Sequence, residues 1–206
     1  MKADILILPQ QKNRKLNKRI SVSVIGDSGV SFDSALYHLA FRLGKKLADL
    51  DYRIINGGMS GIMEACCKGA RSSANYKEGM LVSIVPGFDP SLANSFADII
   101  IPTGLDAYRN GIIANSEVVV AIGGGAGTLS EIALAWTFKR MLIAYDVPGW
   151  SGKVADTRID ERKRIPWEND KVFKVRNEDE VAAFIEKYVH HYHQRHQSIT
   201  GTTSSD

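Results

Sequence analysis

Long hydrophobic runs are missing from this chain. No apolar stretch among its 206 residues approaches the roughly 18 that a membrane helix needs. Ile5-Leu-Ile-Leu8 is too short for a signal-peptide core, and no small-residue cleavage site follows it. A soluble, cytoplasmic protein without a membrane partner is the expectation. Cysteine is scarce too. Cys66 and Cys67 are adjacent, sit in a predicted helix and imply no disulfide framework, which suits a reducing compartment. Charge of one sign is not in excess: 26 Lys and Arg face 23 Asp and Glu, a net +3 spread along the chain. That balance argues against a nucleic-acid partner. No Ser-His-Asp or Cys-His arrangement can be drawn. Four of the five histidines (His190, His191, His193 and His196) crowd near the C-terminus without a cysteine or carboxylate pattern, so no metal is expected. No internal repeat occurs.

What is present describes one α/β domain. The chain is 44% hydrophobic, enough at this length to bury a sizeable core. Residues 1–19 read as a basic extension, residues 20–194 as a single domain, and the Ser/Thr-rich residues 195–206 as a disordered tail. Strands are expected near residues 20–25, 52–55, 80–85, 98–101, 118–122 and 141–145, with a last edge strand at 172–175. Helices are expected between them, the first capped by Asp33, and a terminal one at 178–191. Such alternation predicts a mostly parallel sheet with helices on both faces. Residues 88–97 read as a loop able to cover a site. Residues 147–170 read as a long irregular, mobile excursion.

Three predicted strands end in Gly/Ser turns that open helices. They are Gly26-Asp27-Ser28-Gly29, Asn56-Gly57-Gly58-Met59-Ser60-Gly61 and Gly123-Gly124-Gly125-Ala126-Gly127-Thr128. In a parallel sheet all three lie on the carboxyl edge, where ligands bind. The third turn combines glycines, which leave N–H groups bare, with a helix N-terminus and its partial positive charge. It is the expected phosphate site. The first turn, through Asp27 and Ser28, is suited to a sugar or base. Arg109, with Asn110 beside it, is the candidate fixed positive charge near the same edge. Thr128-Leu-Ser-Glu131 admits two readings. It is a capping box in which Glu131 only closes a helix end, or Glu131 is a reactive carboxylate.

Residues 20–145 resemble a group of Rossmann-like, doubly wound proteins. The group includes the LONELY GUY (LOG) phosphoribohydrolases, often mislabelled lysine decarboxylases, and the molybdenum cofactor carrier proteins. The resemblance rests on Asn56-Gly57-Gly58-Met59-Ser60-Gly61-Ile62-Met63-Glu64-Ala65 and on Gly123-Gly-Gly-Ala-Gly-Thr-Leu-Ser-Glu131, which is similar to the group's P-G-G-x-G-T-x-x-E signature. Gly123 replaces the signature proline. Ala107-Tyr-Arg-Asn-Gly111 stands where the LOG enzymes carry E-R-K-x-x-M, keeping Arg109 only. Both departures look more like the carrier branch. The resemblance implies a protein that binds a phosphorylated small molecule, a nucleotide or molybdenum cofactor, without requiring a cofactor of its own. It also implies a homo-oligomer, a dimer or tetramer. The alternative it implies is cleavage of the N-glycosidic bond of a nucleoside 5′-monophosphate, with Glu131 acting on ribose or water and Arg109 orienting substrate. A nucleotide-sensing module is a third reading.

Overall fold

The computed structural model describes residues 19–193. The basic extension up to residue 18, the tail and His196 lie outside them. The strands are β1 (Ser21–Gly26), β2 (Arg53–Asn56), β3 (Leu81–Val85), β4 (Ile99–Pro102), β5 (Val118–Ile122), β6 (Met141–Tyr145) and β7 (Phe173–Val175). The helices are α1 (Ala35–Asp49), α2 (Ile62–Arg71), α3 (Asn110–Ile113), α4 (Ala126–Thr137), α5 (Trp150–Val154) and α6 (Glu178–Tyr188).

The strands form one sheet in the order β4-β3-β2-β1-β5-β6-β7. All its pairings are parallel. β-Branched residues dominate β5, and every residue of it is buried, as a central strand covered on both faces requires. Alternation divides its side chains. Val118, Val120 and Ile122 join the core under α1, α2 and α6; Val119 and Ala121 join the core under α3, α4 and α5. The chain thus winds in both directions from β1, and the switch in strand order falls between β1 and β5. The carboxyl ends of β1, β2 and β5, which carry the three Gly/Ser turns, are neighbours there. No helix among the described residues is long and apolar enough to cross a membrane.

Several local expectations are corrected. Ser34, not Asp33, caps α1, accepting from the Tyr37 amide at 3.2 Å, while Asp33 accepts from Ser31 Oγ. Pro102 is the last residue of β4 and does not merely stop it; its nitrogen has no proton to give β3, and Thr103 donates to Val85 O instead, from its amide at 3.2 Å and its hydroxyl at 2.9 Å. Residues 88–97 pack against the carboxyl edge at the β2 turn, and none of them lines the cavity described below. Asn94 ties that loop to the β2 turn by donating its amide to Gly58 O at 2.7 Å and its side chain to Met59 O at 3.2 Å.

Residues 147–170 are not a loose excursion. They contain α5, and Arg164 lies buried against Asp170 with Nη2 2.7 Å from Oδ1. Arg164 also stacks over Trp136 at 3.8 Å and donates to Arg140 O. Trp136 is therefore buried, with its indole N–H on Asp160, and α4 offers no exposed tryptophan face for a partner. Charge-rich composition hid this packing: the segment is held by charge pairs and cation–π contacts that carry no apolar periodicity.

Candidate functional site

The third glycine turn sets the geometry. Gly123 and Gly124 have φ of 62° and 88°, which favour glycine, and at Gly124 a Cβ would strike the Thr128 side chain. Gly125 is the N-cap of α4, and no side chain caps the helix. The first intrahelical bond recorded there runs from Leu129 N to Gly125 O, so the amides of residues 126–128 precede the ladder. The capping-box reading fails on this register. Thr128 is the third helical residue, not the cap, and Glu131 lies one turn further into α4 on the same side.

Nearby is a cavity of about 300 Å³ lined by Gly26, Asp27 and Ser28 after β1, and by Gly57, Met59 and Met63 around the β2 turn. Arg109 and Asn110 line it from the α3 side, and Gly125, Gly127, Thr128 and Glu131 from α4. Gly58, Gly123 and Gly124 do not line it. Their role is in shaping the turns. Gly58, at φ 75°, packs where a Cβ would meet Val85 at 2.6 Å. The Gly123 amide is already spent on Ser151 Oγ at 2.7 Å. The bare N–H groups are thus fewer than the glycine count suggests. At Gly125 and Gly127 nothing lies within 4 Å of an added Cβ, so their open side is free for a ligand.

Tethers fix the other walls. Asp27 Oδ1 accepts from the Gly29 amide at 2.8 Å, Asp27 O accepts from the Ile62 amide, and Ser28 O accepts from Ser60 Oγ. The β1 and β2 turns are therefore stitched together. Asn110, buried, donates to Ser130 Oγ at 2.8 Å and joins α3 to α4. Ile25 and Met63 are lining residues that sequence reading did not assign. Met63 sits in the first turn of α2, and the only hint of its role is that such a position faces the carboxyl edge.

The electrostatic centre is the pair Arg109 and Glu131. Glu131 is only 8% exposed, and burial pushes its carboxyl up to about 7 against the opposing pull of Arg109. Burial likewise pulls the Arg109 guanidinium down, opposed by Glu131 and then Asp106. Arg109 Nε and Nη1 are buried and have no hydrogen-bond partner among the described residues. The glycine at 57 makes room for them, since a Cβ there would lie 2.5 Å from Nη1. An arginine left with open donors beside a cavity is equipped to receive an anion. The described residues contain no group of three or more His, Cys, Asp or Glu that could hold a metal. His191 instead stacks on Trp167 at 4.2 Å.

The matching family model extends over residues 19–182 and is that of the SLOG cluster4 family. The chain belongs to this family. An uncharacterized protein of Archaeoglobus fulgidus is 42% identical over 119 residues, which is 57% of this chain and 74% of that protein. Among solved structures, the molybdenum cofactor binding protein of Rippkaea orientalis is similar with a TM-score of 0.69 and 26% identity, covering 83% of this chain and 98% of its own. The molybdenum cofactor carrier protein of Chlamydomonas reinhardtii gives a TM-score of 0.65 at 25% identity, over 82% and 98% of the two chains. The described fold of this SLOG chain is thus shared over nearly the whole length of both proteins.

Proposed function

We propose that this chain binds the phosphate of a small phosphorylated heterocycle, a nucleotide or a molybdopterin-type cofactor, as a carrier-like protein. The observation that carries the reading is the meeting of an uncapped α4 N-terminus with unpartnered Arg109 donors at one cavity. The amides of Gly125 to Thr128 receive the phosphate, and Arg109 supplies the neutralising charge. Asp27 and Ser28 face the sugar or the ring, and Met59, Met63 and Ile25 give it an apolar wall. Likeness to the two cofactor-binding structures supports the choice of a carrier.

Titration calorimetry with AMP and with adenosine tests the phosphate assignment. AMP is expected to bind and adenosine to bind at least tenfold more weakly, because charge-assisted hydrogen bonds contribute about 1.5–3 kcal/mol. Arg109→Ala should lose that discrimination with little loss of thermal stability, since the Nε and Nη1 donors it deletes have no hydrogen-bond partner to lose. Equal affinity for the two ligands would remove the reading. Mass spectrometry of the copurified ligand separates a nucleotide from a pterin.

A second reading is favoured by one observation, the Glu131 carboxyl poised near neutrality. In a phosphoribohydrolase, water adds to C1′ of the ribose as the C1′–N bond breaks, and a proton passes to the departing base. A carboxyl titrating near 7 suits either side of that proton transfer. Release of free adenine from AMP, lost in Glu131→Gln, would make this the function.

A further inference from the structure

The cavity's own charges oppose the ligand proposed for it. Its charged lining residues are Arg109, Asp27 and Glu131. With both carboxylates ionised the lining keeps one negative charge in excess, and a phosphate monoester brings roughly −1.5 to −2 more at pH 7. The two carboxylates are not alike. Asp27 is exposed, so water and salt screen it, and its Oδ1 already accepts from the Gly29 amide at 2.8 Å. Glu131 is buried, one turn into α4 on the same side as Thr128, near the uncapped amides. Arg109 does not spend Nε or Nη1 on it, since neither has a hydrogen-bond partner among the described residues. Asp106 acts on Arg109 and not on Glu131. The other walls face Glu131 with uncharged groups: Gly57, Met59 and Met63 from the β2 turn and α2, and Asn110 from α3.

We propose that Glu131 takes up a proton as the ligand's phosphate is captured, so that a neutral acid faces the anion and affinity falls as pH rises above neutrality. The inference rests on the phosphate assignment and names how that site is regulated. In the free protein, burial already pushes the Glu131 carboxyl up to about 7. A phosphate raises it further, because a like charge in a buried site disfavours the ionised form. A cavity of about 300 Å³ is comparable in width to the Debye length of roughly 8–10 Å, so salt screens the two charges little. The phosphate also draws on Arg109, whose charge favours the ionised carboxyl. Both changes act in one direction. The neutral acid has an O–H to donate, which a carboxylate lacks. Linkage is reciprocal, so a ligand that strengthens proton binding at Glu131 is itself bound better when the proton is there. Affinity is therefore full just below 7, falls by up to about tenfold per pH unit above it, and levels off beyond the raised value in the complex.

Calorimetry of the full chain with AMP and with ribose 5-phosphate, at pH 7.5 in buffers of different ionisation enthalpy, counts the proton directly. A carboxyl near 7 is about one-quarter protonated at that pH, so wild type should take up roughly half a proton or more per ligand. The ligands add little to this count, because a phosphate monoester has its second pKa at about 6. Raising the pH to 8.5 should weaken wild-type binding about three- to tenfold. Glu131→Gln, which keeps the side chain neutral, should take up no proton and lose that decline. Binding of AMP to wild type with no proton uptake would overturn this inference and leave the phosphate assignment standing. Uptake that persists in Glu131→Gln would overturn it by placing the proton elsewhere. If neither ligand binds, the phosphate assignment and the inference fall together.

Discussion

Glu131 is where two forces on one side chain can be weighed. Burial favours its neutral form, and Arg109 favours the charged one; burial wins and leaves the carboxyl at about 7 against an ordinary 4.5. The folded state therefore holds a proton that the unfolded state releases between those two values. Stability from this group is present below about 4.5 and falls as pH rises through 7. The gap corresponds to roughly 3 kcal/mol as an upper bound. Glu131→Gln should accordingly flatten the decline in melting temperature between pH 5 and pH 8 and raise the value at pH 8. A variant whose melting curve tracks wild type across that range would show that Glu131 is ionised in the folded protein. For ligand affinity the same change should be neutral or favourable in a carrier. In a hydrolase it should cost about 10²-fold or more in turnover.

At the scale of elements, the strand–turn–helix unit β5–α4 contains glycines of two kinds. Gly124 serves the fold, with φ 88° and the Thr128 side chain where its Cβ would go. Gly124→Val should destabilise by at least the ~1–2 kcal/mol of a left-handed residue. Gly127, inside α4 with open space beside it, is the one the proposed phosphate site would use. Gly127→Ala should raise stability by about 0.5–1 kcal/mol, because glycine is a poor helix residue, while weakening phosphate binding. Chemical denaturation and calorimetry on the pair separate the two roles; the same effect from both would refute the division. This unit was legible in the sequence because apolar run, glycines and helix formers follow one another. The choice between a capping box and a reactive Glu131 stays open in the sequence because T-x-x-E looks the same one turn inside a helix as at its start. Only the backbone at Gly125 decides which it is.

For the whole molecule, the doubly wound sheet was legible from the alternation of strands and helices, and the convergence of three turns follows from that topology. Arg109 could be flagged as a charge, but the space for its open donors depends on Gly57, far away in the chain, and no local pattern records that approach. Residues 147–170 were illegible for another reason. Their anchor is Asp170, which receives Arg164 at 2.7 Å and the Tyr192 hydroxyl at 2.8 Å and links the segment to the C-terminal end of the described chain. Asp170→Ala leaves Arg164 buried without its partner, a loss of about 3–5 kcal/mol. Trypsin should then cut at Arg162 and Lys163 far sooner than in wild type. Unchanged cleavage would mean that the aromatic contacts alone hold the segment.

The brace behind the β5 turn has a bearing on time as well as on strength. Ser151, fully buried, accepts from the Gly123 amide and donates its hydroxyl to Tyr145 O, while the Trp150 and Ser151 amides donate to Gly124 O and Gly123 O. The donors at the start of α4 are thus set before any ligand arrives, and folding has already met the entropic cost of ordering them. In the proposed role, capture needs no slow rearrangement of the turn. A family of phosphorylated ligands should enter at similar rates and differ in how long they stay, so that selectivity at this cavity is written in residence times.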